Sequence, residues 1–276
     1  MKIVLTLVAR DFETLQEVLP QALEGVAAAG SPIEDTEILG AGAADIFVDH
    51  DDPVIVRARA EGALERAPVD ICVQRVEHRK KRLLVADMDS TIVGCECLDE
   101  LADFAGVRAR VAEITERAMR GELDFEAALR ERVGMIAGLP LAEMQRCFDE
   151  RVKLNAGART LIATMAAEGA RCVLVSGGFD FFTGRVAAAA GFHAHWGNRL
   201  IDDGVALTGH VAEPILGRDA KLRTLEAEAG GAGISMAETL AVGDGANDLD
   251  MVLAAGLGVA YRAKPVLAGQ ADARLD

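Results

Sequence analysis

Leu83-Leu84-Val85-Ala86-Asp87-Met88-Asp89-Ser90-Thr91 joins four consecutive apolar residues to an acidic turn. A run that is apolar at every position marks a strand covered on both faces, which means a parallel sheet in an α/β fold. Two more runs of this kind, Cys172 to Val175 and Leu240 to Val242, end in Ser176-Gly177-Gly178 and in Gly243-Asp244-Gly245-Ala246-Asn247-Asp248. Helical stretches separate the three. Ligands bind beyond the carboxyl ends of strands in an open parallel sheet, so these turns are expected to share one crevice in a Rossmann-like core.

Between the first and second of these strands, residues 94–155 read only as helix: Leu98 to Ala105, Arg108 to Arg120, Phe125 to Ala137 and Leu141 to Val152. An insertion at that point is expected to form a helical cap over the strand ends. Residues 1–80 follow the order β-α-β-β-α-β. They read as a strand from Ile3 to Ala9, a helix from Glu13 to Ala29, strands from Thr36 and at Asp45 to Val48, a helix from Val54 to Ala67, and a strand from Val69 to Val76. This order suits a ferredoxin-like α+β domain. RNA-reading versions need exposed aromatics and basic flanks, whereas residues 1–80 hold only Phe12 and Phe47 and 15 acidic against 8 basic residues. The expectation is an amino-acid-sensing or dimerising module similar to ACT-like domains, with a purely structural prefix as the alternative. His78-Arg79-Lys80-Lys81-Arg82 reads as a solvated linker, which divides the chain into 1–80 and 81–276.

With 276 residues, 51% apolar and 26% charged, the chain has the composition of a folded protein of about two domains. A net charge of −15 disfavours nucleic acid as a partner. Five cysteines in no paired framework suit a reducing cytoplasm. The longest apolar stretch, Met251 to Tyr261, falls well short of the ~20 residues that span a bilayer. Ile3 to Ala9 runs directly into Arg10-Asp11 without a small-x-small site, so a strand is expected there and not a leader.

Asp87, Asp89, Asp244 and Asp248 would crowd four carboxylates into the crevice, an arrangement that requires protons or cations. Oxygen donors favour a hard divalent ion, and Mg²⁺ is the expected cofactor. Neither Cys95-x-Cys97 nor His193-x-His195 has further ligands in view for zinc. Lys221, at a helix start, offers another positive charge. Ser176-Gly177-Gly178 supplies a hydroxyl and amides unobstructed by Cβ, suited to a tetrahedral oxyanion.

This ordered set resembles the haloacid dehalogenase superfamily, and from Leu83 to about Pro265 it looks like the phosphoserine phosphatase branch. The resemblance implies that Asp87 attacks phosphorus and that Asp89 serves as acid and base. Mg²⁺ would sit on Asp87, the main-chain carbonyl of Asp89, and Asp244. Ser176, Gly178, Lys221 and Asn247 would hold phosphoryl oxygens, with Asp248 orienting the lysine and the metal's water. Glu96 and Arg132 match the branch's substrate-reading positions, where an anion and a cation suit an ammonium and a carboxylate. Phe125 and Met119 would wall the pocket. The implied reaction is Mg²⁺-dependent conversion of O-phospho-L-serine to L-serine and phosphate, the last step of serine biosynthesis. Another small phosphoester such as phosphohomoserine or phosphothreonine is the alternative substrate, and a non-catalytic amino-acid sensor the alternative class. A homodimer through residues 1–80 is a further expectation. The family pattern runs on after Pro265 through a strand and a final helix, whereas this sequence stops at Asp276, so the last of these elements is expected to be missing.

Overall fold

The computed structural model describes residues 2–275 apart from 29, 31, 66, 120 and 121. Ala29 and Arg120, where two helices were expected to end, therefore lie outside the described residues. The first elements are β1 (Lys2–Ala9), α1 (Phe12–Ala27), β2 (Ile33–Gly40), β3 (Ala43–Asp49), α2 (Pro53–Ala63) and β4 (Val69–Arg75), in the expected order. Alternate residues Ile3, Leu5 and Leu7 of β1 and Ala44, Ile46 and Val48 of β3 pack under Leu15, Val18, Ala22 and Val26 of α1 and Val56 and Ala60 of α2. The period of two lets one face of the sheet meet the helices. Both helices start on a side-chain cap. Asp11 accepts from the Thr14 amide, and Asp52 accepts from that of Val54 beside Pro53 at the first helical position. The strands pair antiparallel in the order β2-β3-β1-β4.

The remaining strands are β5 (Leu83–Ala86), β6 (Arg171–Phe179), β7 (Ala194–Asn198), β8 (Leu200–Asp202), β9 (Leu207–Val211), β10 (Thr239–Gly243), β11 (Leu257–Tyr261) and β12 (Ala273–Leu275). Six of them form a parallel array, β12-β11-β10-β5-β6-β7. Its central strands β11, β10, β5 and β6 are buried on both faces, as the unbroken apolar runs require, while the outer β7 and β12 are partly exposed. Leu84, Ala86, Cys172 and Leu174 join one core with α7 (Ala158–Ala167) and α8 (Asp180–Ala190). Leu83, Val85, Val173 and Val175 join another with α9 (Arg218–Ala232), α10 (Leu249–Ala254) and α11 (Pro265–Ala268). After Pro265 the chain forms the short helix α11 and then the strand β12, with no further helix among the described residues.

The insertion holds α3 (Cys97–Phe104), α4 (Arg108–Met119), α5 (Phe125–Met135) and α6 (Leu141–Arg151). An element not foreseen supports it. The antiparallel β8–β9 hairpin hydrogen-bonds the α5–α6 connection through Gly138 N to Leu207 O, Leu207 N to Leu139 O and Leu141 N to Val205 O.

The first four strands do not stand apart from the parallel array. β4 pairs antiparallel with β12 at Cys72 and Ala273, so all ten strands form one sheet. The basic segment expected to be a solvated linker is in part anchored. Arg79 reaches the buried Asp45, and the Lys81 ammonium donates to the carbonyls of His78, Ala237 and Gly256. Backbone carbonyls and a buried carboxylate gave these cations partners that composition could not reveal. Among the described residues no helix is long and apolar enough to cross a membrane.

Candidate active site

The turns after β5 and β10 meet the end of β6 at the carboxyl edge of the parallel strands; Ser176-Gly177-Gly178, expected as a turn, is the last part of β6 itself, which runs to Phe179 where α8 takes over. The Asp87 amide donates to Val242 O, which continues the β5–β10 ladder one residue past the strand and sets the Asp87 side chain just beyond it. The chain then turns tightly. Ile92 N and Val93 N both donate to Met88 O, Ser90 N donates to Cys95 O, and Ser90 adopts a left-handed φ of 56°.

Lys221, in the first turn of α9, is buried between two carboxylates, with its Nζ 2.7 Å from Asp87 Oδ1 and 2.5 Å from Asp248 Oδ1. Asp248 Oδ2 accepts from the amides of Asp244 and Gly245, so both of its oxygens are engaged. The approach is close enough that a Cβ on Gly243 would lie 2.3 Å from Asp248 Cγ. Burial, followed by the Asp248 charge, raises the Asp87 pKa well above the usual carboxyl value against the pull of Lys221. For Lys221, burial pulls downward, but the charges of Asp87 and Asp248 outweigh it and hold the ammonium firmly protonated. Burial and then the charges of Asp248 and Glu96 raise Asp244 to about 6.

Asp89 faces the other way. Its Oδ1 accepts from Cys97 N at 2.9 Å and its Oδ2 from Ser176 Oγ at 3.1 Å. Burial and then the Glu96 charge raise its pKa to about 6, against these hydrogen bonds. Gly178 N donates to Ser176 Oγ, and a Cβ on Gly178 would sit 3.0 Å from both Asp89 Oδ2 and Ser176 Oγ. A larger residue there would have to push one of these two oxygens aside.

One carboxylate oxygen each from Asp87, Asp244 and Asp248 lies within 4.8 Å of the others, and among the described residues this is the single group of three or more acidic, His or Cys side chains with metal-ligand spacing. The donors are all oxygen, and one ammonium serves several acids, so the set fits a hard divalent cation. Asp248 joins this side-chain group, whereas the Asp89 carboxylate is committed to Cys97 and Ser176.

A cavity of about 290 Å³ opens from these turns to the inserted helices, and its lining includes Asp87, Asp89, Glu96, Arg132, Phe125, Ser176, Gly178, Asp244 and Asn247. Glu96 Oε1 accepts from Ser90 Oγ at 2.6 Å. The Arg132 Nε donates to Ala128 O, and burial lowers the guanidinium pKa while the charges of Asp99 and Glu96 oppose the shift. Met119 ends α4, but its side chain lies outside the described residues. The cavity also takes in Asp99, Thr115 and Lys264, which the sequence reading passed over. Asp99 could have been found, because it lies one helical turn after Glu96. The two histidines have structural partners: His193 Nδ1 accepts from Cys172 N, and His195 Nδ1 meets Thr183 Oγ1.

An acidic crevice at the carboxyl edge of a parallel sheet, roofed by inserted helices, defines a class of hydrolase. The chain belongs to the haloacid dehalogenase-like hydrolases, whose family profile matches residues 84–252. It is 44% identical over 223 residues to the phosphoserine phosphatase of Archaeoglobus fulgidus, a match covering 80% of this chain and 64% of that protein. The chain spans only 64%, 51% and 52% of the first curated relatives it matches. A crystal structure of a haloacid dehalogenase family hydrolase from Salmonella enterica serovar Typhi superimposes with a TM-score of 0.82 at 29% identity, covering 100% of this chain and 94% of that one. A structure described as a phospho-aspartyl intermediate analogue of phosphoserine phosphatase gives a TM-score of 0.64 at 40% identity, covering 70% and 92%.

Proposed function

We propose that this protein hydrolyses O-phospho-L-serine to L-serine and phosphate, as the last step of serine biosynthesis. The observation that carries the reading is Lys221 buried between Asp87 and Asp248, with Asp89 hydrogen-bonded to Ser176 beside it. The relatives named phosphoserine phosphatase support the choice of substrate.

An Asp87 carboxylate oxygen attacks phosphorus as the seryl O–P bond breaks, and protonated Asp89 gives its proton to the departing oxygen. Ionised Asp89 then takes a proton from water. That water's oxygen attacks phosphorus, the bond to Asp87 breaks, and phosphate leaves with Asp87 regenerated. Asp89, with a pKa of about 6, is poised for both transfers near neutral pH. Lys221, Ser176, Gly178 and Asn247 hold phosphoryl oxygens, and Asp248 keeps the lysine in place through its 2.5 Å contact. Asp87, the Asp89 carbonyl and Asp244 would hold Mg²⁺, which supplies positive charge against the phosphoryl oxygens when bound. Glu96 and Arg132 take the substrate ammonium and carboxylate, with Phe125 and Met119 as pocket walls.

In the same proposal residues 1–80 are an ACT-like, ferredoxin-like unit with a regulatory or dimerising role, and 81–276 the phosphatase unit capped by residues 94–155. The antiparallel order β2-β3-β1-β4 supports the first assignment. The location proposed is the cytoplasm. A phosphate-release panel of phosphoserine, phosphothreonine, phosphohomoserine and simple phosphoesters tests the function, run with and without chelator and with Asp87→Asn as the control. Phosphoserine should be turned over fastest, only with Mg²⁺, and roughly 10⁴-fold slower by Asp87→Asn. Equal turnover of esters that lack the amino and carboxyl groups would refute it.

A further inference from the structure

Asp99, in the first turn of α3, and Glu96, the extended residue that precedes the helix, both line the cavity, near enough that the Glu96 charge is felt at Asp99. They are not in the same state. Glu96 already accepts the Ser90 hydroxyl through Oε1. Asp99 is half-buried, yet among the described residues no side chain or amide within hydrogen-bond or ion-pair distance satisfies its carboxylate. Arg132 is near enough for its charge to be felt at Asp99, but forms no ion pair with it, and its single hydrogen bond, Nε to Ala128 O, leaves both terminal nitrogens for a ligand.

Neither Asp99 oxygen is sealed from the cavity, so a cation that enters can reach a carboxylate with no protein partner to displace. An ammonium carries three N–H donors. The three diverge, so they cannot all point at the Glu96 carboxylate, whereas a second carboxylate lining the same cavity can take one of them. With Asp99 included, the lining here holds two anions against the Arg132 guanidinium, while Arg108, whose charge also reaches Asp99, lies outside the lining and is paired with Glu100 and Asp103. That excess favours a ligand bearing an ammonium over one with a hydroxyl or hydrogen in its place. We propose that Asp99 is a specificity residue that accepts the substrate's ammonium together with Glu96, while Arg132 takes the carboxylate. The inference rests on the phosphoserine reading above.

Three esters separate the roles: O-phosphoserine, phosphoethanolamine, which keeps the ammonium and lacks the carboxylate, and 3-(phosphonooxy)propanoate, which keeps the carboxylate and lacks the ammonium. Each is measured as KM and kcat, or as an inhibition constant where turnover is slow, for the parent, Asp99→Asn, Asp99→Ser and Asp99→Glu in the full chain. Loss of a charge-assisted hydrogen bond should raise KM roughly tenfold or more for the two ammonium esters in both neutral variants. The propanoate should stay within about twofold, and Asp99→Glu should recover part of the loss. If phosphoserine and the propanoate weaken together while phosphoethanolamine does not, Asp99 acts by orienting Arg132 and the inference fails. It fails equally if all three weaken alike with a lowered melting temperature, which is the result expected of a carboxylate serving only the helix N-terminus. A parent enzyme that does not prefer phosphoserine over both truncated esters would sink the phosphoserine reading itself, an outcome read without any variant.

Discussion

Asp45 and Asp87 are both inaccessible carboxylates on the same ten-stranded sheet, one in its antiparallel part and one at the edge of its parallel part. Asp45 receives the Thr6 hydroxyl at 2.7 Å on Oδ1 and lies 2.5 Å from the Arg79 guanidinium on Oδ2, a contact off hydrogen-bond alignment. One anion meets one cation. Around Asp87, a single buried ammonium is divided between Asp87 and Asp248, while Asp89 and Asp244 carry pKa values near 6. The first centre is balanced in charge as folded. The second is short of positive charge, which a divalent ion and a substrate's transfer chemistry can use. Burial of a carboxylate does not by itself mark a site; an excess of anions over the cations that serve them does.

The largest expected effect breaks one centre and spares the other. Lys221→Met removes the ammonium from two buried anions, so it should cost roughly 3–5 kcal/mol of stability and slow phosphate release by roughly 10³-fold or more. Arg79→Met strands Asp45 in the same way but leaves its hydroxyl donor, and should cost roughly 2–3 kcal/mol. Its kcat/KM, measured at a temperature where the chain is folded, should stay within about twofold of the parent. Urea unfolding and kinetics on both variants check the pair. A large loss of activity in Arg79→Met would show that the two centres are not independent.

The contrast also explains what could be read from sequence. Leu83–Ala86 and its parallel neighbours were legible because double burial writes itself as unbroken apolarity, and the Asp-x-Asp and Gly-Asp-Gly turns follow directly on those runs. Arg79 was not legible as a partner of Asp45, because a contact across 34 positions leaves no periodic trace. Ala273–Leu275, three residues with an arginine at the centre, does not resemble a buried strand, yet it carries the pairing that fuses the two parts of the sheet. The β8–β9 hairpin did leave a signal in Asp203-Gly204, where Asp203 Oδ1 accepts from Val205 N and Ala206 N and Gly204 has φ 89°. Its strands were too short for alternation to show.

A smaller effect sharpens the comparison through pH. Asp89 and Asp244 titrate near 6 in the folded chain against an ordinary value of 3.8, and Asp87 is shifted the same way. Between those values the folded state binds more protons than the unfolded state, so stability rises as pH falls through 6 and the gain is complete near 4. Metal-free protein should therefore melt higher at pH 5 than at pH 7, by roughly 2–4 °C once the partial exposure of Asp244 is discounted. Saturating Mg²⁺ at pH 7 should raise the melting temperature and flatten that slope, because the ion replaces the protons. Arg79→Met should keep the slope and Lys221→Met should steepen it. An unchanged slope with Mg²⁺ would argue against a cation in this carboxylate group.

The smallest effect tests whether the Asp45 centre is as self-contained as its geometry implies. Thr6→Val keeps the shape and removes the hydroxyl that donates to Asp45 Oδ1, so it should cost about 1.5 kcal/mol, with no change in kcat/KM or in the Mg²⁺ response. Thr6 and Arg79 serve the same carboxylate, so their losses should not add, and the double variant should depart from the sum by more than about 0.5 kcal/mol. In an Asp45→Leu background both substitutions should become nearly neutral, since no buried anion remains to be satisfied. No equivalent background exists for Asp87: its replacement by leucine would remove the group proposed to attack phosphorus. If Thr6→Val and Arg79→Met kept their full cost in the Asp45→Leu background, their role would be packing at the sheet face, and the charge balance argued for Asp45 would not hold.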